Sequence, residues 1–262
     1  MILSKYLPPL ILIIVLFTMC CSHIDDSVEP RYTYHEFDMV FVYYKTADVE
    51  TYQKLLPSQF TMPAEPLVMA FVADYYRMDA RTMPYLEAAV FLLVDYEGQP
   101  AWHCVTMPVT SNEARWGGVT YLGYPKILGD VALDRSPDRF NGVLNLNDQM
   151  VMSITLDTQG HRISDDETRM FDWLKTTRSL NILNGEVYEP KFGNPNQKFS
   201  LLQVAAMYPD KLEVQVGRAD LVMDTKAAAA YSERLGQIFS IRPTEQVLAY
   251  YLKNKFVAGF KP

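Results

Sequence analysis

The chain has 262 residues, 49% of them hydrophobic and 13% aromatic with 17 tyrosines, which is enough apolar material for one large β-rich domain with a lined interior. Its formal charge is −7 and no basic stripe interleaves with the aromatic residues, which excludes nucleic acid as a partner on electrostatic grounds. The histidines, His23, His35, His103 and His161, are scattered without a His-Glu-x-x-His or paired Cys-x-x-Cys, and there is no P-loop, Gly-x-Gly-x-x-Gly or Gly-x-Ser-x-Gly, so metal, nucleotide and serine-hydrolase chemistry have no sequence support.

Lys5 precedes an apolar run over residues 10–17 that ends at Met19-Cys20-Cys21-Ser22. A basic start, a short apolar run and a processing site form the order of a secretory signal, and the run is shorter than a comfortable membrane span. Residues 1–21 are expected to be a signal peptide or a lipoprotein signal, with Cys20 or Cys21 carrying the lipid anchor to the membrane in the second case and an uncleaved anchor as a third alternative. Residues 22–34 read as a polar tether. Residues 35–262 read as the folded domain, placed outside the cytoplasm. Cys104 is the cysteine left for that domain, so no internal disulfide is available; in Trp102-His103-Cys104-Val105 it reads as a buried structural thiol rather than a nucleophile. His103 reads as a core or edge histidine.

Residues 36–45 alternate, with Phe37, Met39, Phe41 and Tyr43 on one face of a strand. Thr46 and Asp48 offer a cap for a short helix carrying Val49, Tyr52, Leu55 and Leu56, which Pro57 ends. Residues 67–76 and 85–96 are apolar runs with the composition of central strands, and 101–109 is another, where Pro108 predicts an edge or a bulge. Ser111 opens a short helix that delivers the chain to Gly117-Gly118.

The next segment, Gly123-Tyr124-Pro125-Lys126-Ile127-Leu128-Gly129, sets a lysine on a rigid turn inside an apolar run. Pro125 fixes its own φ and biases Tyr124 toward extended backbone, which aims the following side chain. Such a lysine is either a surface residue whose stem covers the tyrosine or a covalent catalyst, because desolvation disfavours the ammonium form and leaves amine able to attack a carbonyl. Glu87, near the start of strand 85–96, is either a strand-edge group or a buried and paired carboxylate. Arg115, next to Trp116, is either exposed or a carboxylate binder beside the turn.

Residues 130–134, 140–146 and 150–156 are short alternating segments of an antiparallel meander. Asp165-Asp166-Glu167 reads as a solvated helix start, Asn184-Gly185 as a hairpin turn, and 211–223 as a strand with a bulge at Gly217. Helical spacing returns at 227–239 and at 244–253. The expected fold is α+β, with a large curved antiparallel sheet or a closed β-barrel-like cone and a few peripheral helices.

Two stretches, Tyr85-Leu86-Glu87 and Gly123 to Gly129, are similar to the acetoacetate decarboxylase family, and a looser likeness runs from Glu36 to the C-terminus. The resemblance implies a barrel-like cone with the lysine inside, Lys126 as the Schiff-base former with a β-keto acid, and Glu87 near the site to orient substrate or move a proton. Tyr85, Tyr124, Ile127 and Arg115 are the substrate-binding candidates. Ile127 stands where family members with decarboxylase activity often carry a second lysine, and Gly118-Val119-Thr120 where they carry Gly-Arg-Glu. The amine is then expected to owe its activation to apolar surroundings, with Glu87 remote from it or protonated. The expected function is that of an extracytoplasmic, homo-oligomeric, Schiff-base-forming lyase acting on a β-keto acid or related oxo acid, with no metal or organic cofactor required. The alternative is a non-catalytic binding protein that keeps the barrel and holds a small apolar or ketonic ligand.

Overall fold

The computed structural model describes residues 32–79, 84–194, 197–199, 212–254 and 258–260. The signal segment and residues 22–31 lie outside the described residues. In chain order the elements are β1 (Tyr32–Lys45), α1 (Val49–Leu55), β2 (Leu67–Asp79), β3 (Tyr85–Tyr96), β4 (Gln99–Val109), α2 (Asn112–Leu122), β5 (Lys126–Leu128), β6 (Asp130–Arg135), β7 (Arg139–Leu146) and β8 (Gln149–Asp157). There follow α3 (Asp165–Leu174), β9 (Arg178–Ser179), β10 (Asn181–Leu183), β11 (Glu186–Tyr188), β12 (Phe192–Asn194), β13 (Gln197–Phe199), β14 (Leu212–Val216), β15 (Arg218–Met223), α4 (Thr225–Tyr231), α5 (Glu233–Ile238), β16 (Glu245–Asn254) and β17 (Ala258–Phe260). β1 begins at Tyr32, so residues 32–34, expected to end the tether, are already strand.

The large sheet runs β14-β16-β1-β2-β3-β4-β5, with β17 also pairing β1 and β9 also pairing β4. Its pairs are antiparallel except that β5 and β9 lie parallel to β4. A second sheet, β15-β8-β7-β6, is the antiparallel meander expected from its alternation. Among the described residues neither sheet closes on itself, so the curved open sheet is realised and the closed cone is not. Alternation sorts the side chains of the large sheet. Val40, Val42, Val68, Ala70, Val72, Val90 and Leu92 pack onto the second sheet through Leu144, Met152, Ile154 and Leu156. Phe37, Met39, Phe41, Met69, Phe71, Tyr75, Tyr85 and Phe91 face the other way, under α2 and α3. Burying both faces of the strands explains their near-continuous apolar runs.

Several local expectations are corrected. Residues 244–253 are not helical: β16 sits between β14 and β1, and its run Val247 to Leu252 is apolar on both faces, a pattern that helix and central strand share until a neighbour supplies hydrogen bonds. The helix expected at 227–239 is broken in two at Ser232, whose extended backbone (φ −160, ψ 148) ends α4 and whose side chain caps α5 by accepting from Leu235 N. Gly217 is not a bulge but the crossing point between sheets, since β14 pairs β16 and β15 pairs β8. A Cβ there would lie 2.2 Å from the Asp157 carbonyl oxygen, so the crossing requires glycine. Of the two alternatives for Pro108, the edge is excluded because β5 covers it, and a bulge is present in the same strand, at Val105. Asp48 precedes α1 without capping it; its Oδ2 accepts from Arg242 N at 2.8 Å. α3 does open in the expected acidic run, but with a capping box in which Glu167 is buried against His161 rather than solvated.

Candidate active site

Lys126 is the first residue of β5, and its position is set by three local features. Ser111 caps α2 by accepting from Ala114 N at 3.2 Å. The short helix expected to deliver the chain to Gly117-Gly118 runs on through them and stops at Gly123, whose left-handed backbone (φ 66) reverses the chain. Gly123 N and Tyr124 N both donate to the Gly118 carbonyl, the latter at 3.1 Å. The chain then pairs with β4, where Met107 N donates to Pro125 O at 3.2 Å and Met107 lies opposite Lys126.

A bulge in β4 aims its end at the same place. Val90 lies opposite Thr106 and Phe91 opposite Cys104, so Val105 is the extra residue. Before it Trp102 and Cys104 face α2 and α3; after it Met107 and Val109 do. Glu87 reaches the spot from β3, opposite the small Ala73 of β2, and Tyr75 lies opposite Tyr85 one pleat away.

The Lys126 Nζ donates to Glu87 Oε2 at 2.6 Å, with the two side chains only 5% and 3% exposed. The Tyr75 hydroxyl donates to Glu87 Oε1 at 3.3 Å. Nζ lies 5.2 Å from the centre of the Tyr85 ring and 5.9 Å from that of Tyr124, within cation–π range. Tyr34 and Tyr85 hydroxyls meet at 3.4 Å. The cavity at this pair is walled by Phe71, Phe91, Met107, Leu122 and these tyrosines, and leaves about 20 Å³ open to the centre of a water molecule. That is room for roughly one water.

Burial pushes the phenols of Tyr75 and Tyr85 well above the ordinary value, with the Glu87 charge adding to it; burial does the same to Tyr124, reinforced by Cys104 and Glu87. All three are hydroxyl donors at any working pH. Burial raises the Cys104 thiol well above its usual value, Glu87 adds to this and Lys126 opposes it, so Cys104 is a protonated core group that donates to Thr106 O at 3.4 Å. His103 is buried, its Nδ1 is 3.0 Å from Leu180 O, and desolvation holds its pKa down at about 4, which makes it a neutral core histidine.

The structure therefore brings together Lys126, Glu87, Tyr85 and Tyr124. Ile127 does not join them: alternation along β5 turns it to the opposite core, against the second sheet. Arg115 is exposed on α2 and does not line the cavity. Of the two alternatives expected for Glu87, remote from the amine or protonated, the first is excluded, because the carboxyl group is in direct contact with the amine. Sequence reasoning missed Tyr34, Phe71, Tyr75, Phe91, Met107 and Leu122. The alternation of Met69, Phe71, Ala73 and Tyr75 marked one face of β2, but placing that face beside Glu87 needs the β2–β3 register. Among the described residues no cluster of three or more His, Cys, Asp or Glu side chains is placed to hold a metal ion.

A family model for acetoacetate decarboxylase matches residues 23–261. Similar solved structures include acetoacetate decarboxylase from Legionella pneumophila subsp. pneumophila str. Philadelphia 1, at TM-score 0.66 and 15% identity over 88% of this chain and 84% of that one. The enduracididine biosynthesis enzyme MppR complexed with pyruvate matches at TM-score 0.61 and 14% identity over 88% of each chain. An acetoacetate decarboxylase-like enzyme from Sphingomonas wittichii RW1 matches at TM-score 0.55 and 13% identity over 88% and 90%. At these identities the likeness to each structure is one of fold. No curated protein matches the chain significantly.

Proposed function

The chain belongs to the acetoacetate decarboxylase family, and from that premise we propose that it is a Schiff-base-forming carbon–carbon lyase in which Lys126 is the nucleophile and Glu87 its proton partner. The observation that carries the reading is the buried contact of 2.6 Å between Nζ and Glu87 Oε2 beneath aromatic walls. The form of the pair that reacts is the neutral one, amine beside carboxylic acid, because only an amine with a free lone pair is a nucleophile. The amine adds to the ketone of a small β-keto acid to give a carbinolamine. The Glu87 acid protonates the departing hydroxyl, so that water leaves and an iminium remains beside the carboxylate. Breaking the bond to the carboxyl group releases carbon dioxide and sends its electron pair to the iminium, giving an enamine. A solvent proton delivered through Glu87 to the enamine carbon, followed by hydrolysis, returns the ketone and the free lysine.

The test is borohydride trapping with a panel of small keto acids, read by intact mass and peptide mapping. The expected adduct is on Lys126 and is lost in Lys126→Met. The water-sized cavity favours a second reading, a protein that keeps the fold and binds a small ligand without chemistry. It predicts that no keto acid of the panel is trapped on the folded protein. Substrate admission in the enzyme requires the cavity walls to move, so the same panel shows whether they do. We also propose an extracytoplasmic location, on the strength of the basic start and apolar run of residues 1–21.

A further inference from the structure

We infer that Gly118 is a positioning residue for Lys126: the side chain it lacks is the notch through which the lysine stem reaches Glu87. The inference rests on Lys126 being the nucleophile. Gly118 lies inside the 11-residue helix α2, where glycine costs about 1 kcal/mol relative to alanine, so its presence needs a cause. A Cβ built at 118 would stand 2.5 Å from Lys126 Cδ, 2.5 Å from Cε and 3.2 Å from Nζ. Carbon atoms in contact prefer about 3.5–4.0 Å, so the stem would have to move by roughly 1 Å.

A free lysine would swing aside at little cost. This one is held at both ends. Its backbone is fixed by the β4–β5 pairing and by Lys126 N donating to Tyr124 O at 2.8 Å, and its amine by Glu87 at 2.6 Å between the Tyr85 and Tyr124 rings. Displacing the middle of a tethered stem draws Nζ off the carboxylate. The Gly118 carbonyl also receives Gly123 N and Tyr124 N, so the residue that leaves room for the stem anchors the turn that launches it. The position of α2 and the reach of the amine are thus set at one residue. A methyl group there would misplace the nucleophile, whereas a glycine needed only for packing would lower stability when filled and leave the amine alone.

Gly118→Ala and Gly118→Ser are compared with wild type and with Thr120→Ala, an exposed control on the same helix. Two readouts are taken on the full chain: the pH midpoint of the Lys126 side chain by carbon NMR at Cε, and the rate of borohydride trapping with acetoacetate and with pyruvate. Gly118→Ala is expected to stay folded but to lose stability as the buried pair is drawn apart, to move the Lys126 midpoint to lower pH because the amine loses its carboxylate partner and gains apolar cover, and to slow trapping by about tenfold to a hundredfold. Serine is expected to do more than alanine, and Thr120→Ala to leave the midpoint and trapping unchanged. An unmoved midpoint in Gly118→Ala, or trapping equal to wild type, overturns the inference. A shifted midpoint with no trapping in any protein, wild type included, upholds the notch and instead removes the Schiff-base reading.

Discussion

Replacing Lys126 by methionine keeps most of the side-chain volume and removes its charge, which isolates the energetic role of the buried pair. In the wild type the partners are 5% and 3% exposed and 2.6 Å apart, so neither charge is screened by solvent. In Lys126→Met the Glu87 carboxylate keeps the Tyr75 hydroxyl at 3.3 Å, a long contact, and loses its cation. Stranding one member of a buried pair costs about 3–5 kcal/mol. For a domain of this size that corresponds to a fall in Tm of roughly 6–20 °C. Protonating Glu87 removes the stranded charge, and the folded variant takes up that proton more readily than its unfolded chain, where the carboxylate is hydrated. The deficit is therefore largest above neutral pH and shrinks on acidification. Removing both charges in Lys126→Met/Glu87→Leu should restore most of the loss at pH 8. Urea denaturation at pH 8 and pH 5 of wild type, single and double variants measures all of this. A single variant as stable as wild type at pH 8, or a deficit that neither acid nor the second substitution repairs, would refute the buried-pair account and leave only a packing role for the lysine stem.

Three further outcomes follow from other parts of the fold. The His103 pKa, held at about 4 by burial against an ordinary value of 6.5, is depressed in the folded state, so its contribution is complete above pH 6.5 and lost as pH falls toward 4. Wild type should lose on the order of 2 kcal/mol between pH 7 and pH 5 that His103→Gln does not lose, read from paired urea titrations; equal slopes would place the histidine in water. Cys104, 1% exposed and held protonated, should stay unlabelled by iodoacetamide in native buffer and label fully in urea, by peptide mapping; rapid native labelling would mean that the site-facing core opens readily. Gly217→Ala should cost about 3 kcal/mol, because its Cβ would meet the Asp157 carbonyl oxygen at 2.2 Å and backbone cannot yield as a side chain can. A variant within 0.5 kcal/mol of wild type, by the usual tolerance of surface changes, would show that the sheet crossing tolerates a side chain.

Local sequence determined much of this protein. Alternation of Phe37, Met39, Phe41 and Tyr43 is a property of the strand itself, Asn184-Gly185 makes a two-residue turn with both φ positive (54 and 85), and Tyr124-Pro125 limits the backbone ahead of Lys126 whatever surrounds it. These choices are made over a few residues, so they can be read from a few residues. Wherever two segments distant in the chain had to be brought together, the tertiary structure decided. Residues 245–254 became a strand because β1 and β14 offered hydrogen bonds on both sides, and 212–223 split between two sheets because Gly217 alone could pass Asp157. The same holds for the site. Residue types singled out Lys126 and Glu87, but which way Ile127 faces depends on the β4–β5 register, and whether amine and carboxylate touch depends on a bulge at Val105 and a missing Cβ at Gly118. A charge pair acts over ångströms, and distances between strands 39 residues apart in the chain are fixed only when the sheet is assembled.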